Sequence, residues 1–236
     1  MAVGRLWLLP VALGESRWES FLPAVSRDAA CGLNHFVVEN AKTARAELKR
    51  LGHPLPLREL HIEQLQEPLS AGEIDRLLAP LLAGIDLGLM SEAGCPAVAD
   101  PGALLVRRAH ELGITVKPLV GPSSLLLALM ASGLDGQRFA FHGYLPARDP
   151  ERGKRIAELE AESTRKAQTQ IFIETPYRNL ALHAALLQSC RPATRLCLAT
   201  DLGLESEAIA TLRIAEWKKL TPPSIDKRPT VFLLLG

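Results

Sequence analysis

The sequence predicts an α/β protein of two domains, each a sheet flanked by helices. Three observations carry that expectation. In residues 1–118, short apolar runs alternate with amphipathic helical patterns, the rhythm of βαβ units in a mainly parallel sheet. Residues 119–236 order their strands and helices differently and fit a mixed sheet. The 236-residue length suits two modest domains, with a Gly/Pro turn at 118–121 as their boundary.

The elements follow in order. Residues 6–9 form a first buried strand. A secretory leader fits poorly there, because Pro10 interrupts the apolar run and Glu15 and Arg17 follow without a small-residue cleavage site. Residues 36–38 form a second strand, ending at Glu39. Residues 41–51 form a helix stopped by Gly52 and Pro54. Residues 71–82 form another, with Ser70 as N-cap and Glu73 completing a capping box. A strand at 87–90 leads to a helix at 101–112, with Asp100 as N-cap, Pro101 in the first position and Gly113 as stop. Residues 114–118 are a strand and 123–132 an apolar helix. The second half offers strands at 139–143, 170–173, 196–199 and 230–235, a charged loop and helix at 148–166, and a helix at 179–189.

Composition narrows the function. The chain is 47% hydrophobic and 22% charged, with a net charge of +1, so it can bury a core and carries no strong field for nucleic acid or anionic lipid. The longest uncharged run, 118–134, is 17 residues and contains a Gly-Pro turn, too short and too interrupted for a membrane span. Cys31, Cys95, Cys190 and Cys197 are scattered without a Cys-x-x-Cys pair, which argues against zinc and for a reducing, cytoplasmic compartment. GxGxxG, Walker, HExxH and Gly-x-Ser-x-Gly motifs are all missing, so redox, triphosphatase and hydrolase readings start without support.

Gly/Pro-rich turns directly after strands are the main signal, since open parallel sheets bind ligands at the carboxyl ends of their strands. Ser91-Glu92-Ala93-Gly94-Cys95-Pro96-Ala97-Val98-Ala99-Asp100-Pro101-Gly102 could hold a polar ligand through main-chain groups or be an ordinary connection. Gly121-Pro122-Ser123-Ser124 opens a helix and suits a carboxylate or ribose, or simple capping. Glu174, Tyr177 and Arg178 close a buried strand, as a site or as a structural Glu–Arg pair. Glu39 ends another.

Taken together, these segments resemble the tetrapyrrole methylase superfamily, and within it the small-subunit ribosomal RNA 2′-O-ribose methyltransferase branch. That branch carries a Ser-Asp-Ala-Gly-Thr-Pro…Asp-Pro-Gly loop, a Pro-Gly-Pro turn, an Arg-Phe…Gly-Phe-Leu-Pro segment and a Glu-Ser-x-x-Arg motif. Here they stand as Ser91 to Gly102, Val120-Gly121-Pro122, Arg138-Phe139…Gly143-Tyr144-Leu145-Pro146 and Glu174 to Arg178. The resemblance implies a methyltransferase that uses S-adenosylmethionine, needs no metal, and holds the cofactor in a cleft between two α/β domains. It assigns to the cofactor Leu9, Pro10, Ser91, Glu92, Ala93, Gly94, Cys95, Pro96, Val98, Ser123 and Ser124 from the first domain. Phe172, Ala199, Pro229 and Thr230 are assigned from the second. A hydroxyl acceptor needs a base, for which Glu174 is the first candidate and Glu39 the second. Arg178 would orient a phosphate or carboxylate. The resemblance also implies a homodimer and a ribosomal RNA substrate.

The sequence departs from the branch at three places. The first loop, Leu9-Pro10-Val11-Ala12-Leu13-Gly14, is one residue longer before its glycine. Glu-Asp-Thr-Arg becomes Glu39-Asn40-Ala41-Lys42. Arg-Glu-Leu-Thr-Lys becomes Thr200-Asp201-Leu202-Gly203-Leu204, with two basic residues fewer. These changes spare the cofactor turns and bear on the acceptor. They keep open methylation of a tetrapyrrole or other small molecule, and a cofactor-binding sensor or scaffold without transfer.

Overall fold

The computed structural model describes residues 3–66 and 68–236. The chain divides into two compact units, Met1–Ser123 and Ser124–Gly236, five residues beyond the boundary expected from the sequence.

The first unit contains strands β1 (Arg5–Leu9), β2 (His35–Val38), β3 (His61–Gln64), β4 (Leu87–Met90) and β5 (Thr115–Pro118). They form one sheet in the order β3-β2-β4-β1-β5, every pairing parallel. Helices α1 (Ala24–Cys31), α2 (Ala41–Arg50), α3 (Ala71–Leu82) and α4 (Ala103–Glu111) connect them. Parallel strands covered on both faces must be apolar on both, and that is why the inner strands β1, β2 and β4 read as apolar runs, while the edge strands β3 and β5 are largely exposed. One core joins Leu6, Val37, Leu87 and Leu89 to Leu77, Leu78 and Leu81 of α3 and Leu105 of α4. The other joins Leu9, Phe36, Val38 and Met90 to Ala30 of α1 and Ala44 and Leu48 of α2. Gly88 is the exception that packing demands: a Cβ there would lie 2.7 Å from Leu9 Cδ1 and 2.8 Å from Phe36 Cδ1.

The α3 cap is present in full. Ser70 accepts from the Glu73 N–H at 3.3 Å, and the Glu73 carboxylate accepts from the Ser70 N–H at 2.9 Å. The α4 start differs from expectation. Gly102, not Asp100, is the N-cap, at φ +122°, so Pro101 lies outside the helix. A left-handed residue cannot continue a helix, and this one takes the turn where a Cβ would meet Leu89 at 2.9 Å.

The second unit begins with α5 (Ser124–Ser132), one residue later than expected. Strands β6 (Phe139–Tyr144), β7 (Thr169–Ile173), β8 (Arg195–Thr200), β9 (Ala208–Arg213) and β10 (Thr230–Leu235) form a mixed sheet in the order β6-β7-β10-β8-β9. Only β6 and β7 pair in parallel. Helices α6 (Glu151–Lys166) and α7 (Asn179–Ser189) enclose one core with the short α8 (Ile214–Trp217). There Phe172 stacks on Phe232 with ring centroids 5.9 Å apart, and the Trp217 indole donates to the Leu196 carbonyl at 2.9 Å. Helix α5 lies against β8, β9 and β10. Strands β3 and β9 and helices α1 and α8 were not expected. Both strands are sheet edges, with sequences too exposed to show a clear apolar pattern.

Candidate functional site

All five strands of the first sheet run in the same direction, so their carboxyl ends share one edge. The sequence-predicted turns gather there through specific contacts. Val11 and Gly94 exchange a pair of main-chain hydrogen bonds, both 2.9 Å, which stitches the turn after β1 to the turn after β4. The Cys95 thiol donates to the Pro122 carbonyl at 3.3 Å, tying in the turn after β5. Pro10 packs so closely on Gly121 that a Cβ at 121 would stand 2.3 Å from the Pro10 Cβ. The Glu92 N–H donates to Glu39 Oε2 at 2.9 Å, tying in the end of β2. Leu9, Pro10, Glu39 and Ser91 through Pro96 are therefore brought together, with Ser123 at the end of the third turn.

The loop from Ser91 to Gly102 is held in an unusual conformation. Gly94, Ala97, Ala99 and Gly102 all have positive φ, at +73°, +64°, +65° and +122°. For each alanine that geometry costs of the order of 1 kcal/mol. Ala93, Val98 and Ala99 are exposed, so main-chain groups are available around a rigid turn. The Ser91 hydroxyl, on a residue 3% exposed, has no hydrogen-bond partner of ordinary geometry. Asp100, expected to cap α4, is instead half-buried in this loop. Burial, reinforced by the Glu39 and Glu92 charges and opposed by the nearby Ser91 hydroxyl, pushes its carboxyl up to about 6.

Two residues that brace these turns escaped the sequence reading. Glu47 of α2 is 1% exposed, accepts from the Ala12 N–H at 3.3 Å and pairs with Arg50 at 3.4 Å. Arg50 in turn donates to the Gly14 carbonyl at 2.8 Å. The pair fixes the longer first loop. Burial raises the Glu47 carboxyl against the pull of Arg50. Glu47 and Arg50 are one helical turn apart, which alone is no signal, because their partners lie in a distant loop.

In the second unit, Glu174 follows β7 with a side chain only 1% exposed. Its Oε1 accepts from the Thr175 N–H and from Arg178 Nη2, each at 2.6 Å. The hydrogen bond to Glu174 and its charge hold Arg178 further into its charged range. Among the described residues only Oε1 of Glu174 is so engaged. Tyr177 is 77% exposed. Phe172 is wholly buried, its ring spent on the core. Ala199 and Thr230 are buried on neighbouring strands, with the Thr200 and Thr230 hydroxyls 3.1 Å apart. Pro229 is exposed, and its carbonyl accepts from the Asp201 N–H at 2.9 Å. Ser124 is the first residue of α5. On α6, Arg155 and Lys166 are paired with Glu158 and Glu162, the pattern of a solvated face, while Arg152, which pairs with Asp149 of the loop before it, is mostly buried.

The fold and its strand-end turns define a class: α/β proteins of two units, the first a parallel sheet whose carboxyl edge carries a cradle of main-chain groups. The profile of the Tetrapyrrole (Corrin/Porphyrin) Methylases matches residues 34–218. The chain belongs to that family.

Among its relatives is the ribosomal RNA small subunit methyltransferase I of Pseudomonas aeruginosa, 32% identical over 219 residues, which take in 92% of this chain and 72% of that protein. The protein of the same name from Xylella fastidiosa is 39% identical over 140 residues, 59% of this chain and 48% of its own length, so the chain spans about half of some relatives it matches. Among solved structures, the methyltransferase CobJ superposes with a TM-score of 0.65 at 16% identity, covering 99% of this chain and 94% of that one. Uroporphyrin-III-C-methyltransferase from Thermus thermophilus gives 0.56 at 19%, covering 98% and 94%. These two likenesses speak for the fold.

Proposed function

We propose that this chain is an S-adenosylmethionine-dependent methyltransferase that methylates a ribose 2′-hydroxyl of small-subunit ribosomal RNA. One observation carries the reading: the turns after β1, β2, β4 and β5 are bonded into a single main-chain-lined cradle at the carboxyl edge of the first sheet. Membership of a methylase family and the relatives named for ribosomal RNA methylation support it.

The residues fit the cofactor. The Ser91 hydroxyl is buried, and beside it the left-handed Ala97 and Ala99 turn the partly exposed main chain of the loop, whereas Gly94 gives its N–H and carbonyl to Val11. Leu9, Pro10, Ser91 through Pro96, Val98 and Ser123 would hold it on the first unit. On the second unit the resemblance adds Ser124, Ala199, Pro229 and Thr230, and Phe172 only through its backbone. When bound, S-adenosylmethionine supplies a methyl group made electrophilic by the adjacent sulfonium. The protein's task is to fix that group and the acceptor and to receive a proton. Glu174 is the first candidate for the proton, because Arg178 and the Thr175 N–H fix its carboxylate through one oxygen only. Glu39 is the second. Arg178, still 44% exposed, can meet a phosphate, and Tyr177 can stack on a base. A homodimer in the cytoplasm belongs to the same proposal, and light scattering of the purified protein tests the dimer.

Small ribosomal subunits from cells lacking this protein, incubated with it and methyl-labelled cofactor, test the activity. Label should enter RNA and survive in alkali-resistant dinucleotides, because a methylated 2′-oxygen cannot attack the neighbouring phosphate. The shortage of basic residues at Thr200 and Leu204 favours a second reading, a small-molecule acceptor. Label in a small-molecule fraction and none in RNA would establish it instead.

A further inference from the structure

Helix α2 carries a solvent face of one sign. Its residues, Ala41–Arg50, include Lys42, Arg45, Lys49 and Arg50 against a single acid, Glu47. Glu47 is buried and takes Arg50, the only ion pair that α2 makes among the described residues. Lys42, Arg45 and Lys49 are exposed, and Arg45 donates only to the Ala41 carbonyl of its own helix, at 3.3 Å. Spacings of three and four residues put the three cations within about 60° of one another, along about 10 Å of helix axis. Ala44, Glu47 and Leu48 bury the opposite face, so the stripe looks outward. Other helices mix their signs: Arg108 pairs with Asp75 and Glu111, Arg155 with Glu158 and Lys166 with Glu162. Like charges at these spacings weaken a helix, and an anionic partner would relieve them.

The cap keeps the stripe uncompensated. Asn40 accepts from the Lys42 and Thr43 N–H groups at 2.9 and 3.2 Å, so the first turn is capped without a carboxylate that would neutralise Lys42. Helix α2 begins two residues beyond Glu39, which ties the end of β2 into the cradle through the Glu92 N–H. The stripe therefore starts at the cradle and runs away from it.

We propose that Lys42, Arg45 and Lys49 hold the phosphate backbone of the acceptor RNA beside the ribose to be methylated. The inference rests on the RNA reading above and deepens it. At about 3.4 Å of rise per nucleotide, about 10 Å of helix faces roughly three phosphates, one for each cation. The acceptor side thus has its cations on α2, although Thr200 and Leu204 stand where basic residues were expected.

Co-sedimentation with small ribosomal subunits from cells lacking this protein, between about 50 and 200 mM salt, tests the proposal. The variant carries Lys42→Gln, Arg45→Gln and Lys49→Gln, since glutamine is as good a helix former as lysine. Three lost phosphate contacts, at about 0.7 each, should flatten the slope of log affinity against log salt by about 2 and weaken binding by about 100-fold at about 0.1 M salt. Each single substitution should flatten the slope by about 0.7, which keeps the test open if the triple variant loses cofactor binding. KM for subunits should rise, while kcat and the calorimetric affinity for S-adenosylmethionine stay within about twofold of wild type. A control variant, Arg107→Gln with Lys218→Gln and Lys219→Gln, loses as many exposed cations from other elements and should keep the wild-type slope. Protein-free small-subunit ribosomal RNA should compete with subunits for the wild type. Equal losses in both triple variants, or no loss in either, would overturn the proposal and leave the RNA reading standing. A loss confined to the α2 variant, with no competition from free RNA, would assign the stripe to a ribosomal protein and overturn it as well. Wild-type label found only in small molecules would remove the RNA reading itself, and the proposal with it.

Discussion

Gly121→Ala tests the contact on which the cradle depends. A Cβ at 121 would stand 2.3 Å from Pro10 Cβ, 2.6 Å from Pro10 Cγ and 3.2 Å from Leu22 Cδ1. Ordinary contact begins near 3.4 Å, so the turns must part by about 1 Å. Pro10 cannot swing away, because its ring is tied to its own backbone. Overpacking of this kind costs about 1–3 kcal/mol, a fall in melting temperature of roughly 3–10 °C for a chain of this size. A displacement of about 1 Å in a positioning turn also costs about 100-fold in rate, so methyl transfer and cofactor affinity should both drop. Gly113→Ala is the control. Gly113 has φ +70° and open space beyond it, so its alanine loses about 1 kcal/mol of backbone energy and no cofactor affinity. Thermal unfolding and calorimetry read both variants. A Gly121→Ala protein with the wild-type melting temperature and affinity would refute the reasoning.

Other outcomes follow from the same geometry. Because the Asp100 carboxyl is raised in the folded state to about 6 from an unfolded value near 3.8, its contribution to stability is fully present below the unfolded value and is lost as pH rises through 6. Asp100→Asn should therefore melt with the wild type below about pH 3.8 and increasingly above it between about pH 4 and about pH 6.5, with a constant gap at higher pH; parallel melting curves over that interval would contradict this. Burial pushes Cys190 up to about 12, and Cys197 is buried as well, so iodoacetamide at pH 8 should mark the partly exposed Cys31 and Cys95 first, by peptide mapping. Cofactor should slow labelling at Cys95 and leave Cys31 unaffected. Ser70→Ala removes one half of the α3 capping box and should cost about 1 kcal/mol in chemical denaturation.

Local signals carried much of the fold. Ser70 and Glu73 announced the start of α3 because a capping box is a contact within four residues. The bounds of α7 and β10 were legible for a similar reason: their patterns begin and end at residues that break them. Edge strands such as β3, His61–Gln64, were not, since a half-exposed strand has little apolar pattern to show. Asp100 misled because Asp-Pro is a strong helix-start signal, while the Gly102 backbone and its tight approach to Leu89 decided the cap. The site followed the same division. Its turns could be read from glycine and proline placed after strands. The contacts between turns, such as Val11 with Gly94 and Glu47 with Ala12, join residues far apart in the chain and leave no mark at either end.

The position of β10 has a consequence for how the second unit forms. It is the last strand of that sheet to leave the ribosome, yet it lies in the middle, between β7 and β8. Until it is made, the β6-β7 pair and the β8-β9 pair have nothing to join them, and each shows an open edge of unpaired amides. The nascent second unit thus passes through a sticky interval that only residues 230–235 can end. The first unit meets the same need earlier: β4 (Leu87–Met90) must insert between β1 and the β2-β3 pair before the sheet is continuous, and β5 at Thr115–Pro118 then only extends an existing edge.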